Sequence, residues 1–295
     1  MKRVTQTSER DRREISSVLK AVWARYRRQL ARGQRSLTEE ALHDLRVQTR
    51  RLLACLEILS PIAGGLAESA SARKTLRKRL TALGPLRDAQ VQLRDFDRLR
   101  EAQPEISPLH HDLSRRVLRL GRAAAAKMDR TGTRKLGRRM ARFSRRLTEG
   151  LGLASAPQVL RIAFLTTTKK ALAGLSRVAR ADFRDHRAVH AERVSLKQVR
   201  FGAECLPAAL RPIPASDLKR VRKGVAWMGR IHDLDVHLAR MKKLVAKNRL
   251  PASAANSYCT ELTRRRAALI RQCLAFLRRR RPAVNPLARA SSLPG

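Results

Sequence analysis

Residues 43–57 read HDLRVQTRRLLACLE, and residues 190–204 read HAERVSLKQVRFGAE. The two stretches align at a constant offset of 147 residues, which places His43 on His190, Arg46 on Arg193, Arg50 on Lys197 and Glu57 on Glu204. A second pair, residues 76–91 and 221–236, aligns at an offset of 145. Two offsets that nearly agree predict an internal duplication, with repeats at about 8–150 and 151–282.

The composition around these repeats predicts an all-α protein. Ala, Leu and Arg are abundant and aromatic residues make up only 3% of the chain, which favours helices. Thr38 is the expected N-cap of the second helix, and the Gly84-Pro85 pair is expected to end the third. The predicted helices are 8–32, 38–60, 67–83, 86–101, 107–150 with a break near Gly132, 157–183, 186–210, 215–228, 231–248 and 252–281. The tail, residues 283–295, is expected to be disordered.

The repeated helix has two chemically different faces. At about 100° per residue, His43, Arg46 and Arg50 share one stripe, and His190, Arg193, Lys197 and Arg200 share the same stripe in the second copy. The opposite face is apolar and is predicted to be buried: Leu45, Leu52, Leu56 and Leu59 in the first copy, and Leu196, Val199, Ala203 and Leu206 in the second. A charged stripe is usually a solvated face. Here its spacing recurs in both halves, which favours a functional role.

A later helix in each half adds further cations, Lys74, Arg77 and Lys78 in the first and Lys219, Arg222 and Lys223 in the second. If the halves pack about a pseudo-twofold axis, the four helices face one another and form a basic channel. Like charges in such a channel repel strongly. The repulsion would be relieved by a ligand that carries many negative charges.

The net charge points to the same class of partner. The chain of 295 residues carries +42, spread over both halves, and Arg outnumbers Lys by 52 to 14. A hydrophobic fraction of 43% is enough for a folded core. The N-terminus does not resemble a signal peptide, and no apolar run is long enough to span a membrane. Cys55, Cys205, Cys259 and Cys273 are expected to be thiols in the cytoplasm, a reducing compartment.

The stretch H-D-L-R-V-x-x-R-R-L at 43–52, the later L-G-x-L-x-D at 83–88 and their second copies resemble the conserved histidine α-helical domain, or CHAD, over about residues 7–282. The resemblance implies two pseudo-symmetric four-helix units around a basic pore. It also implies binding of inorganic polyphosphate and association with polyphosphate granules. The polyphosphate-facing residues that the motif implies are His43, Arg46, Arg50, Arg51, His190, Arg193, Lys197 and Arg200.

An enzyme is not expected. The sequence contains no phosphate-binding Gly-rich loop, no nucleophile elbow and no acidic cluster that could hold a metal for phosphoryl transfer. Asp88 and Asp233 are interpreted as helix-start caps or partners of arginine rather than as an acid/base pair. His186 and His190 have a metal-compatible spacing but lack further ligands, so no catalytic residue, metal or cofactor is predicted. Trp23 and Trp227 are interpreted as core residues.

Polyphosphate is therefore the leading ligand, and polyphosphate-metabolising or granule-associated proteins are the expected partners. RNA or DNA is the alternative, because the same charge suits any phosphate backbone. Against nucleic acid, the chain has only ten aromatic residues that could stack on bases. A scaffold that docks on acidic proteins or membranes is a third possibility. Protonation of His43 and His190 beside a polyanion would strengthen binding below neutral pH.

Overall fold

The computed structural model describes residues 9–100, 107–129, 133–181, 183–211, 213, 215–246 and 252–278. These residues form nine α-helices and one 3₁₀ turn, with no β-strand among them, which confirms the all-α prediction. The helices are α1 (Glu9–Arg35), α2 (Glu39–Leu59), α3 (Leu66–Arg100), α4 (Ser107–Asp129), α5 (Thr133–Leu151), α6 (Ala156–Arg180), α7 (His186–Glu204), α8 (Ala215–Val245) and α9 (Ala252–Arg278). The 3₁₀ turn is Ala208–Leu210. The predicted disordered tail lies outside the described residues.

The helices of the first half recur in the same order in the second. α1 to α4 correspond to α6 to α9, and the first residues of the paired helices are 147, 147, 149 and 145 positions apart. These spacings agree with the two offsets of the sequence repeat, 147 and 145, to within four residues. α5 lies between the two sets and has no counterpart among the described residues of the second half.

Two predicted helix breaks are absent. Residues 67–83 and 86–101 belong to the single helix α3, and residues 215–228 and 231–248 were likewise predicted apart but belong to α8, which ends at Val245. Pro85 lies inside α3 and removes one backbone donor from it. In the preceding turn Arg46 Nη1 donates a hydrogen bond to the Leu80 carbonyl oxygen at 2.9 Å, which links α2 to α3.

The other boundaries follow local sequence signals. Thr38 is the N-cap of α2, as predicted, and its hydroxyl accepts a hydrogen bond from the Ala41 backbone N–H. The helix predicted at 186–210 ends earlier, at Glu204, before Pro207 and the 3₁₀ turn. The segment predicted at 107–150 is two helices, α4 and α5, with residues 130–132 between them outside the described chain.

The apolar faces of the repeated helices form the core. All eight residues predicted to be buried on α2 and around α7 are at most 2% exposed. Trp23 and Trp227 pack against the same core, as predicted. A smaller apolar cluster joins the far ends of the two halves, with contributions from α3, α4, α8 and α9: Phe96, Leu113, Met241, Leu244, Tyr258 and Leu262. An ion pair between Arg240 and Asp112, 3.1 Å apart, links α8 to α4.

A disulfide joins the halves where α2 and α7 pack together. Cys55 lies on α2, Cys205 caps the C-terminus of α7, and the two Cα atoms are 5.8 Å apart. Both residues are at most 1% exposed. The prediction that all four cysteines are thiols is therefore wrong for this pair, because packing of the two halves brings together residues 150 positions apart. Cys259 and Cys273 are free thiols, as predicted.

We expect thiol titration of the denatured, unreduced protein to detect two groups, Cys259 and Cys273, and four groups after reduction. Because the cross-link closes a loop of 150 residues, its reduction should lower the free energy of unfolding by about 2–4 kcal/mol. Urea titrations with and without reductant measure this difference. Four reactive thiols before reduction, or coincident unfolding curves, would contradict the cross-link.

Candidate anion-binding cavity

A cavity of about 880 Å³ lies between the two halves and is lined mainly by α2, α3, α7 and α8. These are the four helices that carry the repeated motifs. Eight of the predicted site residues lie in its wall: His43, Arg46, Arg50, Arg77, His190, Arg193, Lys197 and Arg200. The disulfide and the smaller apolar cluster lie next to opposite ends of the lining, which fixes the helices on both sides of it.

Six other predicted site residues lie outside this wall: Arg51, Lys74, Lys78, Lys219, Arg222 and Lys223. Arg51 stacks over the ring of Phe201 and pairs with Glu204, at 3.3 Å from Nε to Oε2. Lys223 lies over the ring of Phe276. Lys74, Lys78, Lys219 and Arg222 are exposed. These six residues are therefore removed from the set of predicted cavity contacts. The sequence gives the spacing of the charges along a helix, but it does not show which side of that helix faces the cavity and which side faces a neighbouring helix or solvent.

Arg50 and Lys197 stand out in the wall because neither has a carboxylate within ion-pair distance among the described residues. Burial, followed by the charges of Arg46 and Arg193, lowers the pKa of Arg50 to about 10. Burial, followed by the charges of Arg193, Arg50 and Arg200, lowers the pKa of Lys197 to about 7. Lys197 is therefore close to half-protonated at neutral pH. Among the lining residues, arginines and Lys197 outnumber the acids, which are Glu57, Asp88 and Asp233.

The carboxylates of the wall are held beside arginines. Glu57 lies 3.8 Å from Arg77, and Asp233 lies 3.6 Å from Arg193. Burial raises the pKa of Asp88, while Arg46 and Arg193 act in the opposite direction. The interpretation of Asp88 and Asp233 as helix-start caps is wrong, because both lie inside long helices. The alternative reading, as partners of arginine, is confirmed for Asp233.

Two histidines on facing helices form a close pair in the cavity. The distance from His190 Nδ1 to His232 Nε2 is 3.2 Å, which allows a hydrogen bond with one ring as donor. Burial and then the neighbouring Arg193 lower the pKa of both, that of His232 to about 3. Burial and then Arg87 lower the pKa of His43. Burial and the cationic surroundings thus favour the neutral forms of these imidazoles.

His186 lies apart from the histidine pair. Its Nδ1 is 2.8 Å from Oδ2 of the buried Asp235, so it binds a carboxylate rather than forming a site with His190. In the part of the chain that the structure describes, no group of three or more His, Cys, Asp or Glu side chains has an arrangement suited to a metal ion.

Sequence reasoning missed Arg87 and His232, which also line the cavity. They occupy matching positions of the two copies at the offset of 145. The repeat therefore marks both positions, but the two copies carry different kinds of side chain there, so neither position stands out as a repeated cation. Arg87 is partly neutralised, since it pairs with Glu39 at 2.8 Å.

The CHAD domain family profile matches residues 17–226. The chain belongs to the CHAD domain family. The crystal structure of the CHAD domain from the plant Ricinus communis matches with a TM-score of 0.65 and 20% sequence identity, over 92% of each chain. No curated protein sequence matches the chain.

CHAD domains are associated with polyphosphate- and triphosphate-related proteins. The structural match extends the CHAD fold beyond the segment that the profile covers, to nearly the whole chain. Among the described helices of this member, none combines the length and the apolar character that crossing a membrane would require.

The pKa of Lys197 predicts that anion binding depends on pH. A polyanion in the cavity favours the protonated amine, so it raises the pKa of Lys197 from about 7 and takes up protons when it binds. Affinity for long-chain polyphosphate should therefore fall by about tenfold as the pH rises from 7 to 9. Calorimetric titrations across this range measure the effect.

The matched control is Lys197→Arg, which keeps a cation at the position but removes its titration near neutral pH. Its affinity should change much less between pH 7 and 9. The same pH dependence in both proteins would show that Lys197 is not the titrating group.

Proposed function

We propose that this CHAD domain binds inorganic polyphosphate in the cavity between its two halves, without catalysing a reaction on it. The observation that carries the proposal is the placement of Arg50 and Lys197, two cations that face the cavity without a carboxylate partner among the described residues. A flexible polymer with one negative charge on each phosphate would balance the positive charges along the whole cavity wall. Arg forks can grip phosphate oxygens in pairs, and Lys197 adds a point charge.

The aromatic content of the cavity favours polyphosphate over nucleic acid. Phe201 lines the cavity but is only 2% exposed, and the guanidinium of Arg200 lies 4.4 Å from its ring centroid. Arg51 lies over the same ring at 5.5 Å. A base would have to displace these guanidinium groups before it could stack there. A ligand that consists of phosphate alone needs no such surface.

The carboxylates of the wall favour binding over catalysis. Phosphoryl transfer generally uses metal ions held by carboxylates beside the reacting phosphate. Glu57 is placed against Arg77 and Asp233 against Arg193, so these acids balance cations of the wall. We therefore assign them to holding the arginines in position.

The same binding would direct the protein to polyphosphate granules, where it would meet granule-associated or polyphosphate-metabolising proteins. In this proposal the protein recognises the polymer, and any enzyme at the granule supplies the chemistry. Recruitment would follow from many weak phosphate contacts along a single chain.

Substitution of the two unpaired cations tests the site. Arg50→Gln with Lys197→Gln removes charge-assisted hydrogen bonds worth about 1.5–3 kcal/mol each, so affinity for long-chain polyphosphate should fall at least about a hundredfold. The control, Lys169→Gln with Lys170→Gln, removes the same charge from exposed positions on α6. Its affinity should fall less than about threefold, since surface charges are screened. Equal losses in the two variants would mean that only net charge matters.

Competition tests the choice of ligand. Labelled long-chain polyphosphate, bound at physiological salt, is challenged with unlabelled polyphosphate, single-stranded RNA or duplex DNA at equal phosphate concentration. Polyphosphate should compete at least about tenfold better than either nucleic acid. RNA or DNA that competes equally well would favour the nucleic-acid alternative.

A further inference from the structure

Helix α5 carries a strongly basic outer surface that the cavity does not use. Its inner face is buried through Leu136, Met140, Phe143 and Leu147. Its remaining surface carries seven cations and a single acid, Glu149, which lies in the last turn. The cations are Arg134, Lys135, Arg138, Arg139, Arg142, Arg145 and Arg146. α5 thus adds to the first half a charged surface that the described part of the second half lacks.

Two contacts fix α5 beside one stretch of α3. Arg139 Nη1 donates a hydrogen bond to Thr75 Oγ1 at 3.4 Å, and Arg79 Nη2 donates one to Thr133 Oγ1 at 3.1 Å. A later residue of α3 is therefore paired with an earlier residue of α5, so the two helices run antiparallel. Lys74 and Lys78 lie close to Thr75 on α3, and the two contacts place them level with about residues 134–140 of α5.

The rotation of α3 places these two lysines between α5 and the cavity. Thr75 points to α5, and at about 100° per residue Lys78, Lys74 and Arg77 follow at about 60°, 100° and 160° around the same side of the helix. Arg77 lines the cavity, and its side chain is 59% exposed, so it lies at the mouth. The other side of α3 is core, with Leu76 and Leu83 fully buried.

A continuous series of cations thus leads from the cavity wall, over the exposed side of α3, to α5. The residues beyond the mouth, which we call the outer track, are Lys74, Lys78, Lys135, Arg139 and Arg142. Among the described residues, no acidic side chain lies between these cations on the exposed side of α3. Arg77 is paired with Glu57, which lies on the cavity side of the mouth.

We propose that the outer track binds the segment of a long polyphosphate chain that emerges from the cavity at Arg77. The inference rests on the proposed function and extends it, because it assigns the preference for long chains to particular residues outside the cavity. Once the cavity holds one segment of the polymer, binding of the next segment to the track is intramolecular and gains affinity from effective concentration. A chain too short to leave the cavity gains nothing from the track.

Two ligands and two variants separate the track from the cavity. The track variant combines Lys74→Gln, Lys78→Gln, Lys135→Gln and Arg142→Gln, and its control combines Arg161→Gln, Lys169→Gln, Lys170→Gln and Arg180→Gln on α6. Each removes four positive charges from exposed positions. Circular dichroism verifies that both variants keep the helix content of the parent protein. Calorimetry then measures binding of tripolyphosphate and of long-chain polyphosphate to each protein.

The track variant should bind tripolyphosphate within about twofold of the parent protein and long-chain polyphosphate at least about tenfold more weakly. The control should bind both ligands almost as the parent does. With the long chain, the log–log salt dependence of the track variant should become shallower by about 0.7 for each lost phosphate contact.

Failure of the track and failure of the cavity give different results. The proposal for the outer track is wrong if the track and control variants bind the long chain equally well. It is also wrong if the track variant loses as much affinity for tripolyphosphate as for the long chain. If the parent protein binds neither ligand, or if Arg50→Gln with Lys197→Gln leaves both affinities unchanged, the proposed function itself is wrong.

Discussion

Arg50 and Lys197 face one cavity, and neither has a carboxylate within ion-pair distance in the part of the chain that the structure describes. Much of the surrounding structure serves to keep the two cations there. Burial and mutual repulsion lower the pKa of Arg50 to about 10 and that of Lys197 to about 7. Such an arrangement opposes folding, since like charges in a partly buried site would separate if the helices could move. The fold must therefore supply enough stability elsewhere to hold the two helices that carry them.

That stability comes from contacts on both sides of the cavity. On one side, α2 packs on α7 through the apolar faces of the repeat, and the Cys55–Cys205 disulfide joins the two helices. On the other side, a small apolar cluster ties the ends of α3 and α4 to those of α8 and α9. Arg46 connects the site to the scaffold directly, because it lines the cavity and also donates to a backbone carbonyl of α3. The same contacts that close the fold thus hold the charges in place.

The sequence predicts most of this arrangement because helix periodicity and the internal repeat act together. The buried face of α2 and its copy around α7 were predictable residue by residue, and eight of the fourteen predicted site residues line the cavity. Local signals could not show that α3 continues through Pro85, since a Gly-Pro pair normally ends a helix and the continuation depends on packing that local sequence does not show. The disulfide was equally hidden, because Cys55 and Cys205 are not equivalent in the repeat and meet only when the halves pack. Lys74 and Lys78 belong to the same basic cluster as Arg77, but the sequence did not show that α5 packs on α3 at Thr75 and that the two lysines lie between α5 and the cavity.

The protonation state of Lys197 is the most direct measure of the excess positive charge in the cavity. With ¹³C-labelled lysine, the Cε resonance of Lys197, assigned by its loss in Lys197→Arg, can be followed against pH with and without long-chain polyphosphate. We expect a midpoint near 7 in the free protein and an upward shift of at least about one pH unit in the complex, equivalent to about 1.4 kcal/mol. A midpoint at the ordinary value of a lysine in the free protein, or a midpoint that polyphosphate does not move, would contradict this expectation.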